Sequence, residues 1–215
     1  GMLIFEIGYR LDVLTNFWFD TIYHEHLDYH AVKPLKLCLE SLGFHLFRVI
    51  RGNQQGGSIR IYCSLDKLIK VEASVKESIE LEQSLKLFDH NTYKLYFLQL
   101  MNIKKKFKNM ILKLKSKNKK IIGFGVPTKL TTLMTTFKIN KYDIEYFVDE
   151  NEFKQNKFTP IDKIPIYSTQ KLHNDTPDVI VIFAWNFAES IFKKYSYLKK
   201  RGVQFVVPLP YPKVL

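Results

Sequence analysis

The sequence predicts an α/β protein in two parts joined by long helices, and three observations carry that prediction. From Lys119 onward, short apolar runs alternate with amphipathic stretches, the pattern of a parallel sheet covered by helices. The opening 67 residues read as a strand, a helix and an antiparallel strand pair, a set too small to cover its own apolar faces and therefore the tail of an α/β domain. Between them, Leu68 to Ser116 contains neither Gly nor Pro and keeps a helical apolar period. The expected divisions are residues 1–67, a helical link over 68–117, and an α/β unit over 118–215.

Taken in order, Met2–Ile7 is an apolar run of strand length. Pro34 stands at a helix start, and Leu35, Leu39 and Leu42 follow at helical spacing, with Gly43 as the stop. Phe44–Ile50 reads as a strand, Gly52–Gly57 as a turn, and Ser58–Cys63 as an alternating strand that returns beside it. The Gly- and Pro-free stretch predicts one or two helices, with Ile79, Phe88, Leu95, Leu98 and Ile111 among its periodic apolar positions. Further strands are predicted at Lys120–Phe124, Ile144–Val148, Val179–Ala184 and Val203–Val207. Helices are predicted over Thr128–Thr136 and over Phe187–Lys200, the second ended by Gly202.

Composition bounds the function. The 215 residues are 46% hydrophobic and 25% charged, ordinary for a globular protein, with a formal net charge of +12. Much of the positive excess lies between Lys104 and Lys120, where a charge run on one helix reads as a solvated face. Lys outnumbers Arg, and no aromatic–basic interleaving is present, so no nucleic-acid partner is expected. Two distant cysteines, Cys38 and Cys63, have no metal-ligand spacing; no metal is expected, and reduced thiols point to the cytoplasm. No apolar run reaches the length of a membrane span, and the opening stretch carries Glu6 and Arg10, against a signal peptide; no membrane partner is expected.

Two constellations carry chemistry. The first is Tyr23, His24, Glu25 and His26, in which a phenol, two imidazoles and a carboxylate follow one another. Imidazole takes and gives a proton near neutrality, and a neighbouring carboxylate can orient it. If the segment is extended, the two histidines share one face; if it is a loop, all four side chains can converge. The same spacing fits a pair of structural histidines at a strand end. The second is Gly123, Gly125, Thr128 and Lys129 at a strand-to-helix turn, with Asp149 ending the next strand. Such a turn can offer amides and a Lys charge to phosphate, and such a carboxylate can take a ribose hydroxyl, as in Rossmann-like folds. The third glycine of the dinucleotide fingerprint is absent, and so is the Gly-Lys-Ser/Thr ending of a P-loop. A tight turn that packs helix on sheet fits the same residues.

Three segments together, Phe19–Tyr29 (FDTIYHEHLDY), Gln55–Tyr62 (QGGSIRIY) and Ile121–Tyr167, resemble the S-adenosylmethionine-dependent C-methyltransferases of nucleotide-linked keto-deoxysugars. Pro177–Phe187 and Phe205–Pro210 agree, so the resemblance spans almost the whole chain. It implies a family of three parts: a zinc-binding domain, a methyltransferase domain and a closing α/β domain. This chain resembles the end of the second and all of the third; the zinc cysteines and the glycine-rich donor turn have no counterpart, and Leu130 stands where the family carries Gly.

The mechanism that the resemblance implies is proton abstraction beside a carbonyl, followed by methyl transfer to carbon. His26 is then the base, Glu25 and Tyr23 position sugar or base, His24 supports them, and the turn with Lys129 meets the nucleotide diphosphate. S-adenosylmethionine is expected to serve the full-length family and not to bind this chain alone. A nucleotide diphosphate sugar, a separate donor-binding subunit and self-association into a homo-oligomer are the expected partners. Two other functions fit the residues: a non-catalytic nucleotide-sugar-binding module, and an NAD(P)-dependent oxidoreductase built on the Gly123 turn.

Overall fold

Strand β1 (Met2–Gly8) opens a chain whose computed structural model describes residues 1–215, apart from the side chain of Gln55. Helix α1 (Arg10–Thr15), a 3-10 turn (Phe19–Thr21), helix α2 (Val32–Ser41), strand β2 (His45–Gly52), strand β3 (Ser58–Ser64) and helix α3 (Ala73–Ser84) follow. The strands form an all-antiparallel sheet in the order β1-β3-β2. The alternation of β3 puts Ile59, Ile61 and Cys63 into the core, with Arg60 outside. Tyr9, Leu46, Val49 and Val75 pack around them. Strand β1 is an edge, and Met2, Leu3 and Ile4 are exposed on it.

The end of α2 shows why Gly43 is where it is. Phe44 N donates to Leu39 O at 2.9 Å and Gly43 N to Glu40 O at 3.0 Å, a Schellman stop that needs the positive φ of +85° Gly43 adopts. The start of α2 has no side-chain cap of its own. Its first amides are instead met by Glu82 from α3. Val32 N donates to Oε1 at 2.5 Å, Lys33 N to Oε2 at 3.0 Å, and Tyr9 Oη to Oε1 at 3.0 Å. Two orphan donors of a helix start are thus satisfied from another helix, with a carboxylate at the favourable end of the dipole.

The Gly- and Pro-free stretch is two helices, α3 and α4 (His90–Lys115). The break is a second Schellman stop, in which Leu87 N reaches Glu82 O at 2.9 Å and Lys86 takes φ +49°. A lysine occupies the left-handed position usually given to Gly, while buried Leu87 supplies the apolar contact. On α4 the buried stripe is Leu100, Ile103, Phe107 and Ile111; Leu95 and Leu98 are exposed.

By contacts the chain forms two units: Gly1–Trp18 with His24–Leu98, and Phe19–Tyr23 with Gln99–Leu215. The sequence suggested a separate helical link over 68–117. Instead α3 packs on α2 and β2 in the first unit, and α4 contributes residues to both.

The second unit continues with β4 (Ile121–Phe124), α5 (Leu130–Phe137), β5 (Phe147–Asp149), β6 (Lys157–Phe158), β7 (Pro165–Ser168), α6 (Lys171–Asn174), β8 (Val179–Ile182), α7 (Ala188–Lys194), α8 (Tyr197–Lys200), β9 (Gln204–Val207) and β10 (Lys213–Val214). The sheet order is β10-β9-β8-β4-β5-β7-β6. The five central strands are parallel, and the two-residue strands β6 and β10 close the edges antiparallel. The molecule is therefore α/β, with a Rossmann-like parallel sheet in its second unit. Where one helix was expected over Phe187–Lys200, a 3-10 turn at Trp185–Phe187 precedes two short helices broken at Tyr195–Ser196. Strand order reverses beside β4, since β5 lies on one flank and the later β8 on the other. In open α/β sheets the carboxyl ends at such a switch point border the ligand crevice.

Candidate functional site

Tyr23, His24, Glu25 and His26 lie in a turn rather than a strand, so the two-faced arrangement expected of an extended segment does not arise. His24 and Glu25 are exposed, and Tyr23 and His26 are half-buried. The His26 ring meets Tyr29 edge-on, with centroids 6.3 Å apart. The stretch leading in is firmly held in the second unit. Phe19 is buried, with its ring 5.1 Å from that of Phe137 on α5, and Thr132 Oγ1 donates to Ile22 O at 3.1 Å.

The turn after β4 is closed by its own chain. Gly125 N donates to Val148 O at 2.8 Å, and Val126 N to Asp149 Oδ2 at 2.7 Å; Pro127 has no N–H. Asp149 Oδ1 accepts from Asn151 N at 2.8 Å, so both carboxylate oxygens are engaged, and the residue is buried. Lys154 adds a bond from Nζ to Val126 O at 2.8 Å. The two glycines also have packing reasons. A Cβ on Gly123 would stand 2.2 Å from the Phe147 ring, and one on Gly125, whose φ is +83°, would stand 2.6 Å from Ala184 Cβ. The amides and carboxylate read from the sequence as ligand groups thus hold the turn after β4 to the end of β5. Of the expected contact residues, Thr128 is the exposed one.

Lys129 takes part in a different constellation, at the switch point itself. The turn after β4 brings Lys129 and the turn after β8 brings Trp185. Between them sits Asp20, fully buried and belonging to the same unit. Trp185 Nε1 donates to Asp20 Oδ2 at 2.6 Å, and Lys129 Nζ is 3.9 Å from that oxygen. The ammonium also lies 3.6 Å from the centre of a Trp185 ring, a cation–π contact. Asp20 Oδ1 has no hydrogen-bond partner among the described residues.

Burial dominates the electrostatics of this group. It lowers the Lys129 pKa to about 8, against the pull of Asp20. It raises that of Asp20 above the usual carboxylate range, although the Lys129 charge, the Trp185 indole and the backbone amides of Asp20 and Thr21 act the other way. Sequence reasoning missed Asp20 and Trp185. Asp20 stood inside the motif, three residues before Tyr23, and Trp185 followed an apolar strand, the signal of a switch-point loop.

The first unit contains most of the residues that resemble the end of a methyltransferase domain. Its three strands are all antiparallel, and among the described residues it holds no parallel strand pair joined through a glycine-rich turn and a helix. A cavity of about 260 Å³ lies beside Glu6, Ile7, Gly8, Gln54 and Ser58. It is smaller than the roughly 300–1,000 Å³ of most small-molecule sites, and Glu6 in it is already bonded by Ser58 and Arg60. These residues do not make a donor site. Among the described residues no three His, Cys, Asp or Glu side chains are grouped to hold a metal ion. No helix is long and apolar enough to cross a membrane among those residues.

Comparison with known proteins agrees with the resemblance carried by the motifs. Residues 53–210 match the C-methyltransferase C-terminal domain. Over the full length of the chain it is 28% identical to the C-methyltransferase NovU of Streptomyces niveus, and it spans 51% of that protein, about half its length. The match includes the β2–β3 turn, the Gly123 turn, Asp149 and the Trp185 loop, and covers most of the sequence. The chain belongs to the family of C-methyltransferase C-terminal domains.

Proposed function

We propose that this chain supplies the base and the sugar-nucleotide side of a C-methyltransferase acting on a nucleotide-linked keto-deoxysugar. The observation that carries the reading is the Tyr23–His26 turn, in which two imidazoles and a carboxylate remain accessible on a chain of this family. His26 removes the proton from the carbon next to the sugar carbonyl. The C–H bond breaks, its electron pair moves into an enolate with charge on the former carbonyl oxygen, and the proton stays on the imidazole. Glu25 orients that imidazole, Tyr23 donates to the developing oxyanion, and His24 supports the loop.

S-adenosylmethionine is the donor that the family implies, and we assign its site to polypeptide other than these residues, such as a donor-binding partner subunit. The dinucleotide reading loses its chemistry here, because the Gly125 and Val126 amides and both Asp149 oxygens are engaged within the fold.

The test needs no donor. The chain is incubated in deuterium oxide with a thymidine diphosphate-linked 4-keto-deoxysugar, and hydrogen exchange beside the carbonyl is followed by proton NMR. Catalysed exchange that falls by about two to four orders of magnitude in His26→Ala is the expected result. Binding of the sugar nucleotide with no catalysed exchange would leave the non-catalytic binding module as the function.

A further inference from the structure

The crevice that takes an external ligand in many open α/β sheets is filled here by the chain's own carboxylate. We propose that Asp20, Lys129 and Trp185 are positioning residues for the Tyr23–His26 loop, with Asp20 as the resident anion of the switch-point crevice between β4 and β8. The proposal rests on the reading of His26 as the base.

The geometry supports it at three points. Lys129 and Trp185 come from the two loops that border the crevice, and their cationic and N–H groups converge on one oxygen, Asp20 Oδ2. Asp20 lies in the 3-10 turn whose chain runs directly through Ile22 into Tyr23, and the Ile22 carbonyl is held by Thr132 on the helix that follows Lys129. The loop therefore starts from a point fixed by ionic, indole and hydroxyl contacts.

The cluster is also poorly suited to a purely structural task. Two charged groups are taken out of water, one carboxylate oxygen is left without a partner, and the ion pair is long at 3.9 Å. Buried pairs of this kind often stabilise a protein less than apolar residues of the same volume would. What they add is direction, since a carboxylate between an indole N–H and an ammonium has one seat. The same seating leaves little of Lys129 for a ligand phosphate, because its side chain is 13% exposed.

Amide hydrogen exchange of the chain, without donor or substrate, tests this apart from the reading of the reaction. The variants are Lys129→Met, Lys129→Arg and Asp20→Asn, and the windows are residues 19–27 and β8. Lys129→Met and Asp20→Asn are expected to speed exchange over residues 22–27 by at least about tenfold, while β8 loses no more protection than the fall in global stability measured in urea accounts for, and Lys129→Arg is expected to restore the loop. The Trp185 indole N–H resonance, assigned by Trp185→Phe, should move upfield in Asp20→Asn as its carboxylate acceptor is lost. Equal protection of residues 22–27 in wild type, Lys129→Met and Asp20→Asn would overturn the proposal. So would a loop whose protection falls only in proportion to that of β8, with no recovery in Lys129→Arg, since the residues would then serve the fold at large. Failure of the deuterium wash-in at the sugar with these exchange results intact would remove the base assignment and leave the clamp.

Discussion

Two fully buried carboxylates, one in each unit, behave in opposite ways. Glu82 in the first unit receives the Val32 and Lys33 amides and the Tyr9 hydroxyl, so both oxygens are bonded at the start of a helix. Asp20 in the second unit receives one side-chain hydrogen bond, from an indole N–H, stands 3.9 Å from an ammonium and keeps one oxygen outside hydrogen-bond geometry, although the Asp20 and Thr21 amides act on the carboxylate. Glu82 closes hydrogen bonds that α2 could not close alone, which is a structural task. Asp20 binds two elements to a segment that leads into the candidate catalytic loop, at an electrostatic cost. The comparison teaches that burial of a carboxylate does not itself mark a site; the completeness of its hydrogen bonding separates the two roles.

Removing Glu82 should have the largest effect on stability. Glu82→Leu leaves the buried Val32 amide and Tyr9 hydroxyl without partners, at about 1–3 kcal/mol each, and the part-buried Lys33 amide at less, and the expected loss is about 4 kcal/mol by urea denaturation. A loss under about 1 kcal/mol would show that water or neighbouring groups replace the carboxylate, and the contrast with Asp20 would lapse.

The second prediction concerns pH and is smaller. The folded-state pKa of Lys129, about 8, lies under its ordinary 10.5. Between these values the unfolded chain holds more protons than the folded one, so stability should rise with pH across that window. Burial raises the folded-state pKa of Tyr195 to about 12 and acts in the opposite direction once the pH passes 10. The comparison is therefore made between pH 8 and 10, where wild type should gain about 2 kcal/mol relative to Lys129→Met. Parallel profiles for the two proteins would mean that Lys129 is as well solvated folded as unfolded.

The same contrast explains what could be read in the sequence. Gly43 announced the end of α2 because glycine is the usual left-handed residue, whereas the identical stop at Lys86 was invisible, since lysine carries no such signal. The β2–β3 pair was legible from alternation, while two-residue strands such as β6 are too short to show a period. The Gly123 turn was found, but glycines that admit a phosphate and glycines that admit Phe147 and Ala184 look alike in a sequence. Tyr23–His26 stood out because its titratable groups are contiguous. The Asp20–Trp185 bond joins residues 165 positions apart, and it exists only once β4 and β8 lie side by side.

The most direct test of the account is a thermodynamic cycle of Asp20→Asn, Lys129→Met and the double variant in urea. Lys129→Met alone should cost about 3 kcal/mol, because it leaves a buried carboxylate without its counter-charge. The double variant should return to within about 1 kcal/mol of wild type, because the desolvation of both charges disappears with them. A double variant that loses the sum of the two single effects would contradict the account, and would make Asp20, like Glu82, a carboxylate that the fold needs for its stability.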